Sequence, residues 1–311
     1  IRARAALPGP ARRGLAGQPG VRGRASAGLA RVDEPGADGR PAPAPGLARV
    51  AAIEAHSVAA WPPTVVEFTP DGWVLRATPG LPGRGRSNHA LTPARPLRRA
   101  EYERSLNRVA EFAVVNGIDC GIQVSPLELH IPLLDELSAR RWEIQRSVVV
   151  MTGETQLVAA AGDGSLELSV SDRVTPAWVD AWRHCDRRAD VEEHLQTVFP
   201  AMAGIARFAH AGRRAVGISV ELDGVVGLFC IAVAPEHRRQ GLGRKLVRGM
   251  LAQHRGPLTY LQVFSANAAG LALYASLGFR EEYRYCHCVV PDSGPPAQAA
   301  GGAAAAPNGG C

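Results

Sequence analysis

The sequence predicts an α/β protein, a mixed sheet flanked by helices, in two consecutive segments between low-complexity ends. Three observations carry this expectation. Short apolar runs alternate with stretches whose apolar residues recur at helical spacing. One run, Val225–Val233, is almost continuously apolar, as a central strand buried on both faces should be. A glycine-containing turn and an amphipathic helix follow it at once.

From the N-terminus, residues 1–46 are rich in Ala, Gly, Pro and Arg and offer nothing to build a core, so they read as a disordered tail. Residues 293–311 read as a second tail of the same kind. The first α/β segment spans 47–155. It predicts a helix at 47–60, strands at 65–68 and 73–77, and an Arg/Gly loop at 80–88 whose Arg84, Arg86 and Asn88 read as solvated, the alternative being that they reach the cleft between the two segments. A helix follows at 99–116, where Leu106, Val109, Ala110 and Ala113 share a face. A strand at 120–124, a helix at 132–141 and a strand at 143–151 complete the segment, and 152–164, with three glycines, reads as a linker.

The second segment spans 165–292 and opens with a strand at 166–170. Thr175 then caps a helix whose first position is Pro176, and Trp178 and Trp182 share one face of it. Asp190 and Glu193 have capping-box spacing and start another helix. Strands at 205–210 and 215–221 follow, and Asp223-Gly224 makes the hairpin turn into the central strand.

Charge and cysteine content narrow the function. The net charge of +6 is concentrated at the start: residues 1–46 carry eight Arg and three acids, leaving 27 basic and 26 acidic groups in the other 265 residues. The folded part is therefore nearly neutral, which argues against a nucleic-acid-binding domain. No run of eighteen apolar residues is present and no secretory signal is visible, so neither a membrane span nor export is expected. The six cysteines are sparse and read as reduced, cytoplasmic thiols. Strand alternation in Cys286-His287-Cys288 puts the sulfurs on one face and the imidazole on the other, so no metal site is expected there.

After the central strand comes Arg238-Arg239-Gln240-Gly241-Leu242-Gly243-Arg244-Lys245, then a helix with Leu246, Val247, Met250 and Leu251 on one face. Strand, glycine turn and helix N-terminus is a construction that holds phosphate: the first N–H groups of a helix lack partners, and its dipole favours an anion. The nucleotide-triphosphate loop is excluded because the Gly-Lys-Ser/Thr ending is missing, and the dinucleotide fingerprint because Leu246 stands where it needs glycine. Downstream, a strand at 258–264 precedes a helix capped by Asn267 that carries Tyr274 and ends at Leu277-Gly278-Phe279.

Arg238-x-x-Gly241-x-Gly243, followed at the expected distance by Asn267, Tyr274 and Leu277-Gly278-Phe279, resembles the paired signatures of the GNAT N-acetyltransferases, most closely over residues 204–290. Gly72-Trp73-Val74-Leu75-Arg76, Arg86-Ser87-Asn88 and Leu133 to Trp142 resemble the N-terminal half of two-lobed actinobacterial members, a degenerate copy without the phosphate loop. The resemblance implies tandem GNAT-like lobes and one acetyl-CoA site per chain, acetyl-CoA being a co-substrate. It assigns coenzyme contacts to Ile231, Ala232, Val233, Arg238, Arg239, Gln240, Gly241, Leu242, Gly243, Arg244 and Asn267. It gives Tyr274 the role of acid toward the departing thiolate, the alternative being packing on the pantetheine arm. The family's strand carboxylate is missing, so Glu221 or Asp223 stands in as candidate base, with His184, His194, His210 and a water chain as alternatives. The acceptor is expected between the lobes and is a small amine or a peptide N-terminus; a homodimer is compatible with this reading. The competing reading is a catalytically silent acyl-CoA-binding sensor or scaffold.

Overall fold

The computed structural model describes residues 46–81, 83–160, 165–187 and 190–291. The expected tails lie outside these residues, apart from Gly46. The elements are α1 (Leu47–Ala60), β1 (Val65–Phe68), β2 (Val74–Ala77), α2 (Gly85–Asn88), β3 (Ala90–Leu91), α3 (Arg99–Asn116), β4 (Gly121–Val124), α4 (Ile131–Ala139), β5 (Glu143–Glu154) and α5 (Thr155–Ala160). They continue with β6 (Ser169–Ser171), α6 (Pro176–Asp186), α7 (Val191–Gln196), α8 (Val198–Met202), β7 (Ala206–His210), β8 (Ala215–Leu222), β9 (Val225–Val233), α9 (Leu242–Leu251), β10 (Leu258–Phe264), α10 (Ala268–Ser276) and β11 (Arg280–Val289).

The strands join in one mixed sheet in the order β1-β2-β3-β4-β11-β5-β10-β9-β8-β7-β6. The two halves of the chain exchange strands. β5, from the first half, lies between β10 and β11, antiparallel to both. β11, from the second half, pairs in turn with β4. The segment expected to begin a linker at Thr152 is therefore strand and helix: β5 runs on to Glu154, opposite Leu258, and α5 follows. A pairing partner more than a hundred residues away holds these residues extended, a contact that local glycine content does not report.

Local signals explain several element ends. Thr175 Oγ accepts from Trp178 N at 3.2 Å and Pro176 opens α6. Asp223 and Gly224 have φ of +50° and +77°, the two positive values a tight hairpin turn demands. Gly278 has φ of +94°, and Phe279 N donates to Tyr274 O at 3.1 Å to close α10. At Asp190 the expectation needs correcting: its side chain makes no cap bond to α7 and instead pairs with Arg84.

The core has two faces around the central strands. Trp178 and Trp182 of α6 pack with Phe199, Phe208, Trp61 and Phe229 on one face. Leu246, Val247, Met250 and Leu251 of α9 pack with Val149, Leu228, Leu261 and Tyr274 on the other. The two tryptophans are thus core residues. A third cluster, with Trp73, Leu106, Val109, Cys286 and Cys288, fills the N-terminal half. Among the described residues, no helix is long and apolar enough to cross a membrane.

Candidate active site

The site begins with a break in the sheet. β9 pairs with β8 over its whole length, but its parallel ladder with β10 runs only from Val225↔Leu258 to Leu228↔Leu261. The cause is an extra residue on β9. Val216 faces Ala232 and Ile218 faces Phe229, so two steps on β8 answer three on β9, and Cys230 takes φ of +50°. Such a bulge bends and twists its strand, here away from β10. The carbonyl of Gly217, opposite the bulge, is satisfied by Trp178 Nε1 at 3.2 Å. Beyond Leu228 and Leu261 the two strands form the walls of a slot.

The slot opens onto the turn before α9. Gly241 is the N-cap residue, with φ of +78°, and no side chain caps the helix. The first N–H groups of α9 are thereby left without a side-chain partner at the cavity. Arg238 Nε donates to Val233 O at 3.1 Å and Arg244 donates to Ser276 Oγ at 2.8 Å, which fixes two cations beside the turn. Together slot and turn enclose a cavity of about 760 Å³. Ile231, Ala232, Val233, Arg238, Arg239, Gly241, Leu242, Gly243, Arg244, Asn267 and Tyr274 all line it. Gln240 does not; its amide turns back onto Glu236 O at 3.1 Å.

Tyr274 and Asn267 reach this cavity from α10. Tyr274 stacks edge-on against Phe279, and burial pushes its phenol up to about 12. Asn267 Oδ1 accepts from Gly270 N at 2.9 Å, so this residue is a helix cap as well as a lining group.

Glu221 is not part of this arrangement. It lies at the far end of β8, where its carboxylate accepts from Arg255 N at 3.1 Å, Gly256 N at 2.6 Å and the His254 imidazole at 3.0 Å. Partial burial opposes its ionisation, but those donors outweigh it and lower its pKa. It lines neither this cavity nor the one described next, and it acts as a clamp on the 254–256 turn. Asp223 is likewise a hairpin residue. Neither His184 nor His210 lines the first cavity: His184 pairs at 2.5 Å with Glu236, which does line it, and His210 sits by its own turn at Gly212.

A second cavity, of about 520 Å³, is walled by both halves of the chain: Trp61, Arg84, Arg86 and Gln145 from the first, His194, Gln262, Tyr285 and His287 from the second. Gln262 lines both cavities. The expected solvated loop is here a built wall. Asn88 is buried, bonded to Thr78 N at 2.6 Å and Leu81 O at 2.7 Å, while Arg86 lies over the rings of Trp61 and Phe229. Of the alternative histidines, His194 lines this cavity, held by Asp190 O at 2.7 Å. His287 meets His89 at 2.9 Å and burial lowers its pKa well below the ordinary range, leaving it neutral. Cys286 and Cys288 face the other way, sulfurs 3.8 Å apart, and both are free thiols, as are Cys120 and Cys185. Among the described residues, no group of three or more His, Cys, Asp or Glu is placed to hold a metal ion. Gln262 is a wall residue outside the sequence signatures; its signal is an amide in the middle of the apolar run Leu258–Phe264.

Comparison with known proteins identifies the family and the fold. Residues 48–288 match the family described as "Probable histone acetyltransferase Rv0428c C-terminal". A 57-residue stretch is 51% identical to the [ribosomal protein bS18]-alanine N-acetyltransferase of Escherichia coli, covering 17% of this chain and 38% of that protein's length. The fold is similar to a GCN5-related N-acetyltransferase from Kribbella flavida, with a TM-score of 0.59 and 16% identity over 78% of this chain and 96% of that one. It is also similar to a tandem GNAT protein from the clavulanic acid biosynthesis pathway, with a TM-score of 0.50 and 13% identity over 76% and 87% of the two chains. With the family match spanning both halves, the chain belongs to the Rv0428c C-terminal acetyltransferase family, and its fold is GNAT-like, shared with a tandem GNAT protein.

Proposed function

We propose that this enzyme transfers an acetyl group from acetyl-CoA, bound in the first cavity, to an amine held in the second. The observation that carries this reading is the continuity of the β9–β10 slot with the uncapped turn at Gly241: a strand edge and a phosphate-binding helix end share one cavity. The residues fit the coenzyme. The N–H groups of 242–244, with Arg238, Arg239 and Arg244, match a pyrophosphate, and the glycines let it approach. The open edge of 231–233 offers a pantetheine arm the backbone pairing that β10 does not supply there.

In this reading the bulge aims a backbone N–H toward the charge that develops on the thioester oxygen. Tyr274, neutral well beyond physiological pH, holds a proton for the departing thiolate. The attacking amine sheds its proton through water in the second cavity, where Glu143 and His194 line the wall. The Escherichia coli relative is named for an alanine of a ribosomal protein, which supports a peptide or protein N-terminus as one acceptor class beside small amines.

The test is free-thiol release from acetyl-CoA across a library of amines and peptides. Saturable release that requires both acetyl-CoA and one class of amine is expected. Acetyl-CoA binding with no release for any amine contradicts the catalytic reading and favours a binding module.

A further inference from the structure

The geometry points to an acceptor that carries a carboxylate next to its amine, received by the Arg86 guanidinium in the second cavity: a free amino acid or a similarly small amino-carboxylate. This rests on the coenzyme reading of the first cavity. Arg86 projects from α2 against the rings of Trp61 and Phe229, its guanidinium carbon 5.7 and 5.3 Å from their centroids. One arm, Nη2, donates to Gln262 Oε1 at 2.5 Å, an oxygen that also accepts the Tyr285 hydroxyl at 2.9 Å. The other arm, Nη1, is buried and has no hydrogen-bond partner.

No described carboxylate forms an ion pair with this guanidinium, whereas Arg84, two residues earlier, is paired with Asp190 at 2.5 Å. Glu54 is buried nearby, but its carboxylate is engaged by Ser125, Tyr283 and Gln123, and desolvation raises its pKa toward the neutral form. His287 and Tyr285 on the same wall supply no anion, and Glu143 sits on the exposed rim. A half-buried cation without a counter-charge is unfavourable until one arrives. Nη1 lacks a partner but is packed within the wall, so a carboxylate engages this planar fork by turning the guanidinium toward the cavity and sharing it with Gln262. Because Gln262 lines both cavities, a carboxylate on Arg86 is held one side chain away from the coenzyme cavity, and in this inference an amine a few bonds from it is the group presented to the coenzyme. A peptide N-terminus carries an amide where this acceptor carries its charge.

The experiment compares the twenty amino acids with their carboxamides, and with alanyl peptides, in the thiol-release assay; acetyl-CoA binding is followed separately by calorimetry. In the wild type at least one free acid should exceed its amide by about tenfold or more in kcat/KM. In Arg86→Gln that ratio should fall to near one with acetyl-CoA affinity within about threefold, and Arg86→Lys, which keeps the charge but loses the fork, should retain part of it. Equal rates for acid and amide, a preference for amides or peptides, or no amino acid accepted by an enzyme that binds acetyl-CoA overturns the inference. A wild type that does not bind acetyl-CoA overturns the coenzyme reading itself.

Discussion

Tyr274→Phe is expected to slow turnover about a hundredfold while changing acetyl-CoA affinity less than about threefold. The phenol sits on the wall of the slot, and Phe preserves its ring and its contact with Phe279. Only the hydroxyl is removed, and in the proposed role the hydroxyl acts as the carbon–sulfur bond breaks, so the loss should appear in kcat. The raised pKa sets the pH dependence. A phenol pushed up to about 12 by burial is protonated throughout the neutral range, so Tyr274 should impose no alkaline decline on kcat below about pH 11. The defect should shrink for acyl donors whose thiol is more acidic, because their thiolate needs less protonation. Steady-state kinetics with acetyl-CoA and such a donor check both points, and an unchanged kcat would make Tyr274 a packing residue.

Gly243→Val is expected to abolish coenzyme-dependent stabilisation, which for the wild type should reach about 2.7 kcal/mol at a hundredfold excess over Kd. Gly243 lies in the first turn of α9 on the cavity wall. A Cβ there would stand 3.0 Å from Leu273 Cδ2 and 3.7 Å from Val233 Cγ2, so a branched side chain fills the seam between α9, α10 and the end of β9. Leu273 can move, and the fold should survive at an overpacking cost of about 1–3 kcal/mol. Thermal melts with and without acetyl-CoA separate the two effects. The apo melting temperature falls modestly, and the ligand-induced rise disappears. A folded variant with an undiminished rise would remove the pyrophosphate from this turn.

The parts of the site built by neighbours in the chain were legible in the sequence. Gly241 and Gly243 between an apolar run and an amphipathic helix, Asn267 as a cap and Gly278 as a stop each act within a few residues. The parts built at long range were not. Nothing around Val148 to Glu154 says that this strand will be enclosed by β10 and β11. The bulge at Cys230 carries no glycine to announce it; it is fixed by β8 pairing across it and by the Trp178 indole on Gly217. The second cavity is walled by residues from Trp61 to His287, so no window of sequence contains it. Arg86 looked solvated because its neighbours are Gly and Arg, yet Trp61 and Phe229, distant in the chain, form its bed. Glu221 was misplaced for a related reason: strand position was legible, but not that its carboxylate would be taken up by the 254–256 turn.

The central claim is that acetyl-CoA lies along the open edge of β9 and ends on the N-terminus of α9. Residue-resolved amide hydrogen exchange of the wild type, with and without saturating acetyl-CoA, addresses it directly. Exchange should slow at the backbone N–H groups of 231–233 and 242–244, while those lining the second cavity around Arg86 and Tyr285 change little. Protection confined to the second cavity, or binding that leaves 231–233 and 242–244 exchanging at their apo rates, would contradict it.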